Sequence, residues 1–368
     1  MASKQTGARA VAAAALVIGT GAALMAPGGA RAADVAMVGT VDVNGKLDDF
    51  DISFVDPAAG RYYLADRSNA GVDVLDTKAR KFLFRVGGFV GSKSKPSLSG
   101  PDGVVVVPEK NEVWAGDGDS TVKVIAMGSD SGKVTAVIQT GGKARVDEMA
   151  YDPKDGVVLM ANNADSPAFV TLVSTGADHK IIAKLDLPQA SDGVEQPAYD
   201  PRTGLFYFSV PILDDQKTHG AVGVFDPKSA KLVKMIPVND CSPSGLQVGE
   251  GENLIVGCGA GSKASGMAPA TVVLNINTEK ATVIPQVGGE DEVWYNPGAH
   301  QYYTASRDQP GGPVLGIIDA ATNKWVANVP TAKNAHSVAA DATTNTIFVP
   351  LTPNSACATG CIGLYATK

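Results

Sequence analysis

A short phrase returns along this chain at nearly constant spacing: a few apolar residues, an acidic or polar residue, then proline. It reads Phe54-Val55-Asp56-Pro57, Val106-Val107-Pro108, Ala150-Tyr151-Asp152-Pro153, Ala198-Tyr199-Asp200-Pro201 and Trp294-Tyr295-Asn296-Pro297. Weaker copies are Leu246-Gln247-Val248-Gly249-Glu250 and Ala339-Ala340-Asp341-Ala342. The anchors at 57, 108, 153, 201, 250, 297 and 342 are separated by 51, 45, 48, 49, 47 and 45 residues. A period in the forties marks a repeat whose units bury their faces on one another. After each anchor come a turn and a second apolar strand, as in Arg61-Tyr62-Tyr63-Leu64 or Leu205-Phe206-Tyr207-Phe208. A third strand follows, ending in Asp or Asn and a polar turn (Asp226-Pro227-Lys228-Ser229), and then a fourth. Short apolar runs divided by turn residues are strand signals, and no convincing amphipathic helix interrupts them.

The fold class expected is therefore all-β, a seven-bladed β-propeller, with six or eight blades as the alternatives. The last copy lacks a fourth strand, and a spare strand, Met37 to Val43, precedes the first copy. Pairing that spare strand into the last blade closes the ring and removes an open edge.

Residues 1–32 read as a secretory signal peptide. Lys4 and Arg9 precede an apolar run from Ala10 to Met25, and Ala30-Arg31-Ala32 offers a small-x-small cleavage site. Residues 33–368 form the single propeller domain, periplasmic or secreted, with no membrane span after cleavage. The formal charge of −7 falls to about −10 when the leader's three basic residues go. An acidic chain disfavours nucleic acid and leaves cationic partners open. The four cysteines, an even number in an exported chain, are expected to pair as Cys241–Cys258 and Cys357–Cys361. A four-thiol metal site is the alternative, without the Cys-x-x-Cys spacing such sites prefer.

The inner strand of every blade lines the channel, so equivalent positions on these strands should face one another. The residue six places before each anchor gives Asp51, Asp102, Asp147, Glu195, Ser244, Asp291 and His336, with Glu148 and Glu292 one step later. Carboxylates gathered at one register need compensation, because burial and mutual repulsion both disfavour their ionised forms. A divalent metal held by Asp51, Asp102, Asp147, Glu195, Asp291 and His336, Ca2+ in the first place, would supply it. A polar channel of structural hydrogen bonds is the other reading.

The repeat resembles the YVTN-type unit of bacterial propellers over nearly the whole mature chain. Pro101-Asp102-Gly103 is similar to segments that carry metal ligands in regucalcin-type lactonases and diisopropylfluorophosphatase-type hydrolases. That resemblance implies a divalent metal at the start of the inner strands and a hydrolytic activity. The sequence departs from those families in having seven blades instead of six and no Glu-Gly-Pro phrase near the first blade. The carry-over rests on Asp102, and reaches the other positions only by analogy.

The same face gathers the longest loops, about 211–220, 259–269 and 307–313, where sites on rigid scaffolds are usually built. Arg67, Arg145, His219 and Arg307 are the expected substrate-binding residues there, and His336 and Asp291 the catalytic candidates. A histidine titrating near neutrality suits a general base, although a hydrogen-bonded channel histidine is the plainer reading. No serine elbow, phosphate loop, zinc-protease helix or haem-attachment motif is present. Three functions stay open: a metal-dependent hydrolase or lactonase acting on a small molecule, a non-catalytic protein presenting its loop face to a small ligand, a metal or an exported protein, and a structural partner within a periplasmic enzyme complex. A monomer is expected.

Overall fold

The computed structural model describes residues 1–2, 35–259 and 265–367. The expected signal peptide lies almost wholly outside the described residues, as does part of the 259–269 loop.

Seven antiparallel sheets of four strands each make up the fold. The inner strands are Ser53–Asp56, Val104–Val107, Met149–Asp152, Pro197–Asp200, Pro243–Val248, Val293–Asn296 and Ala339–Asp341, so each repeated phrase starts one blade. The phrase recurs because its acid builds a turn. Asp56 Oδ1 accepts the backbone N–H groups of Ala58 and Ala59 at 2.9 and 3.1 Å. Asp152, Asp200, Asn296 and Asp341 likewise accept the N–H two residues on. This side-chain mimic of a turn suits Asp and Asn, and the proline that follows all but Asp341 fixes the next φ. The only helical segments among the described residues are two single 3-10 turns, Pro96–Leu98 and Pro108–Lys110.

Burial falls from the axis outward. The second strand of blade 3, Val157–Asn162, is buried along its whole length. The outer strand of blade 2, Gly132–Gln139, alternates between covered and exposed positions. A strand covered on both faces reads as continuously apolar, whereas one with a solvated face alternates. The apolar core sits between neighbouring blades: Val105, Trp114 and Val124 of blade 2 pack with Met149, Val158 and Met160 of blade 3.

The ring closes as expected. The last blade takes Val35–Val41 as its outer strand, antiparallel to Cys361–Thr367, with Val35 opposite Thr367 and Val41 opposite Ile362. The closing strand begins and ends two residues earlier than the sequence suggested. Cys241 and Cys258 form one disulfide and Cys357 and Cys361 the other. Two disulfides fit an oxidising, exported setting. No helix among the described residues is long and apolar enough to cross a membrane.

Candidate functional site

The ring positions share one backbone geometry. The N–H groups of Asp51, Asp102, Asp147 and Glu195 bond to the carbonyls of Ala65, Gly116, Ala161 and Ser209 on the second strands of their own blades. One register therefore sets the backbone of all four in the same way. A cavity of about 430 Å³ opens over them, lined by Asp51, Glu195, Ser244, Asp291 and His336 from that register. Arg67, Arg145 and Arg307 line it too. Small residues make room on one side. A Cβ on Gly259 would lie 2.1 Å from Ser244 Oγ, so a side chain there would crowd the wall.

Two expected ligands lie deeper. Asp102 is fully buried, and Asp147 nearly so. Neither lines the cavity. His219 opens a strand, His219–Asp226, where it sits opposite Asn239, and it is not among the lining residues.

Arginines supply much of the compensation that the carboxylates require. Arg67 pairs with Asp51 and Asp102 together. Arg145 meets Asp147 Oδ2 at 2.7 Å, and Arg307 meets Asp291 Oδ2 at 3.1 Å. Arg67 and Arg307, with Asn163, each stand one residue beyond the second strand of their blades. That second register was legible in the repeat, and it marks these arginines as partners of the ring as much as substrate contacts. Asn163 donates to Asp147 Oδ2 at 2.5 Å and to Glu195 Oε1 at 3.4 Å.

The carboxylates outnumber these cations, and their proton affinities show it. Burial raises Asp51, but Arg67 and His336 hold it well below the usual carboxylate range. Burial pushes Asp102 up, and Arg67 only partly offsets it. Asp147 stands at about 6, raised by burial despite Arg145 beside it. Burial, then Asp147 and Glu195, drive Glu148 upward.

Two clusters could hold a metal ion. In one, single donor atoms of Asp51, Asp291 and His336 lie within 4.8 Å of one another; in the other, those of Asp147, Glu148 and Glu195 do. The expected ring of six ligands is thus divided. His336 is fixed from two sides: Nδ1 lies 2.8 Å from the Asn334 carbonyl, and Phe50 stacks on the ring with centroids 4.8 Å apart. Nε2 faces Asp51 Oδ1 at 3.4 Å. A second cavity of about 440 Å³, at the other end of the inner strands, is lined mainly by apolar residues such as Phe54, Met149 and Tyr199.

Fold and site together define a seven-bladed β-propeller with an axial cavity walled by carboxylates, arginines and one histidine. No protein-family model matches the chain, and no curated protein does. Solved structures do: a chain of hydrazine synthase from Kuenenia stuttgartiensis is similar with a TM-score of 0.66 and 13% identity, covering 86% of this chain and 95% of that one. At that identity the likeness shows the fold alone, and a fold of this kind hosts many functions.

Proposed function

We propose that this protein is an exported propeller whose axial cavity binds a divalent metal ion and, with it, hydrolyses a small lactone or ester. The observation that carries this reading is the convergence of Asp51, Asp291 and His336 at the cavity wall. The Asn334 carbonyl can only accept, so His336 Nδ1 carries the proton. Nε2 then turns a lone pair toward the Asp51 carboxylate, an arrangement that calls for a second proton or a cation between them. Metal-binding histidines are oriented by this kind of bond from the other ring nitrogen.

One nitrogen beside two carboxylates suits a borderline ion such as Zn2+ better than Ca2+, which takes oxygen ligands. This revises the Ca2+ expectation for these three residues. It also makes His336 a ligand in place of a general base. A divalent ion held there supplies a Lewis acid for a carbonyl oxygen and acidifies bound water. Arg145 and Arg307 would hold the carboxylate that ring opening produces, and the cavity has the volume of a small-molecule site. The disulfides, the leader-like first segment and the resemblance to lactonase propellers support the same reading.

Elemental analysis and calorimetric titration with Zn2+, Mn2+ and Ca2+ test the ion, and a panel of lactones and esters tests the activity. We expect about one equivalent of Zn2+, at least tenfold weaker Zn2+ binding in His336→Ala and Asp291→Asn, and hydrolysis that chelation abolishes. Protein that neither binds metal nor hydrolyses any member of the panel would overturn the reading. A second reading has its own support: Arg67 spends its charge on two ring carboxylates, as in a structural polar channel. Metal binding without hydrolysis would favour that reading, a non-catalytic propeller offering this face to a small ligand or an exported protein.

A further inference from the structure

The residue five places before the anchor stands at the entry to its inner strand, and on two blades its side chain reaches the next blade. Gln196 on blade 4 uses it as a clamp, its Oε1 accepting the backbone N–H of Leu246 on blade 5 at 2.7 Å. Glu292 on blade 6 does the same with Val338 on blade 7 at 2.9 Å, and takes Ser337 Oγ as well. Both donors stand four places before their own anchor. Glu148 holds the clamp position on blade 3. Its donor by this register would be residue 197 on blade 4, which is Pro197 and has no N–H.

Glu148 is therefore a clamp without a donor. It is only 3% exposed, and its Oε2 is buried with no hydrogen-bond partner. Its carboxylate lies with those of Asp147 and Glu195 inside 4.8 Å. Arg145 and Asn163 engage Asp147, and Glu195 reaches the cavity. Three carboxylates converge with one arginine beside them, and a buried acceptor is left unpaired, which folding avoids when a partner can be had.

We propose that Asp147, Glu148 and Glu195 form a second cation site, separate from Asp51, Asp291 and His336, that takes a hard ion such as Ca2+. All three donors are oxygen, the ligand type of Ca2+, and oxygens around an ion at about 2.3–2.6 Å stand up to about 5 Å apart. The ion would do for blades 3 and 4 what the Gln196 and Glu292 hydrogen bonds do for the later junctions. Its role is structural and does not depend on the hydrolase reading.

The test is thermal unfolding and calorimetry of the whole protein with CaCl2 alone, after chelator treatment. We expect Ca2+ to raise the melting temperature of the wild type by a few °C, and Glu148→Gln to weaken Ca2+ binding at least tenfold. Asp291→Asn, which removes a ligand of the first site, should keep the shift. Pro197→Ala restores the N–H and should also weaken Ca2+ binding, because Glu148 regains its donor. Should Glu148→Gln fail to fold, Glu195→Gln reads the same loss. The proposal is overturned if Ca2+ does not stabilise the wild type, if the shift survives Glu148→Gln (or Glu195→Gln in its place), or if Asp291→Asn alone removes it. Melting that rises on acidification but ignores Ca2+ would likewise overturn it, since shared protons would then be filling the ion's place.

Discussion

Arg67 donates to Asp102 through Nε at 2.9 Å and through a terminal nitrogen as well, joining the turn after the second strand of blade 1 to the inner register of blade 2. Asp102 is fully buried and its other oxygen has no partner. Removing Arg67 leaves both of its carboxylates without their cation, which typically costs about 3–5 kcal/mol, whereas removing Asp102 leaves Arg67 paired with Asp51 and costs about 1–3 kcal/mol. Asp102→Ala should lose stability on that scale in urea unfolding, and Asp102→Asn, whose amide oxygen can still accept from Arg67, should lose less. A loss under about 1 kcal/mol in Asp102→Ala would mean that the pair does not hold the blades together.

A second buried group of charges sits within blade 1. Arg85 reaches Asp73 at 2.5 Å and Asp66 at 3.0 Å, and both carboxylates are fully buried. Burial raises the pKa of each, Asp73 well above its ordinary value, and Arg85 offsets this only in part. A folded-state pKa above the unfolded value means that the folded state holds its proton more tightly. That contribution is complete below the unfolded pKa, near 4, and is lost as pH rises through the folded one. Asp73→Asn removes it, so the variant's melting temperature relative to wild type should climb as pH goes from about 4 to 8. A flat difference across that range would contradict this.

The two disulfides should differ in worth. Cys241–Cys258 spans 17 residues and Cys357–Cys361 spans 4. Loop-closure entropy puts them at about 3 and about 2 kcal/mol. Paired Ser replacements, compared by denaturant midpoint, should show the larger fall for Cys241/Cys258. Equal falls, or the reverse order, would show that something other than loop length governs them.

Deleting residues 33–43 removes the outer strand of the last blade and exposes the edge of Cys361–Thr367. Such an edge is a template for pairing with other chains. The shortened protein should be oligomeric or aggregated in size-exclusion chromatography, and a synthetic peptide of residues 33–43 should reduce this. A stable monomer with the wild-type melting temperature would rule out a closing role.

The scaffold was legible because its signals are local. Asp56, Asp152, Asp200, Asn296 and Asp341 build their turns with residues two places on, so the acid and its reason sit in one short phrase. The closing strand followed from counting strands, and the disulfides from an even number of cysteines in a chain read as exported. The inner register correctly brought Asp51, Glu195, Asp291 and His336 to one cavity. What the sequence did not show was how charge is shared there. Arg67 and Asp102 are far apart in the chain and meet only because a long side chain crosses between blades; the register one residue beyond the second strand brings Arg67 to the ring but does not say which carboxylates it takes. The missing donor at Pro197 was readable in principle, but only once the contacts of Gln196 and Glu292 had shown what position five before the anchor does.

The pairing of Val35 with Thr367 also sets an order of events during biosynthesis. The strand made first finds its partner only after more than 300 further residues have been added. At roughly 5–20 residues per second, that interval is on the order of tens of seconds. Through it Val35–Val41 carries unpaired backbone groups together with Met37 and Val38, which stay partly exposed even in the finished molecule. A factor that shields nascent chains would have most to do at this amino-terminal segment, and its release would have to wait for the carboxy-terminal strand to arrive.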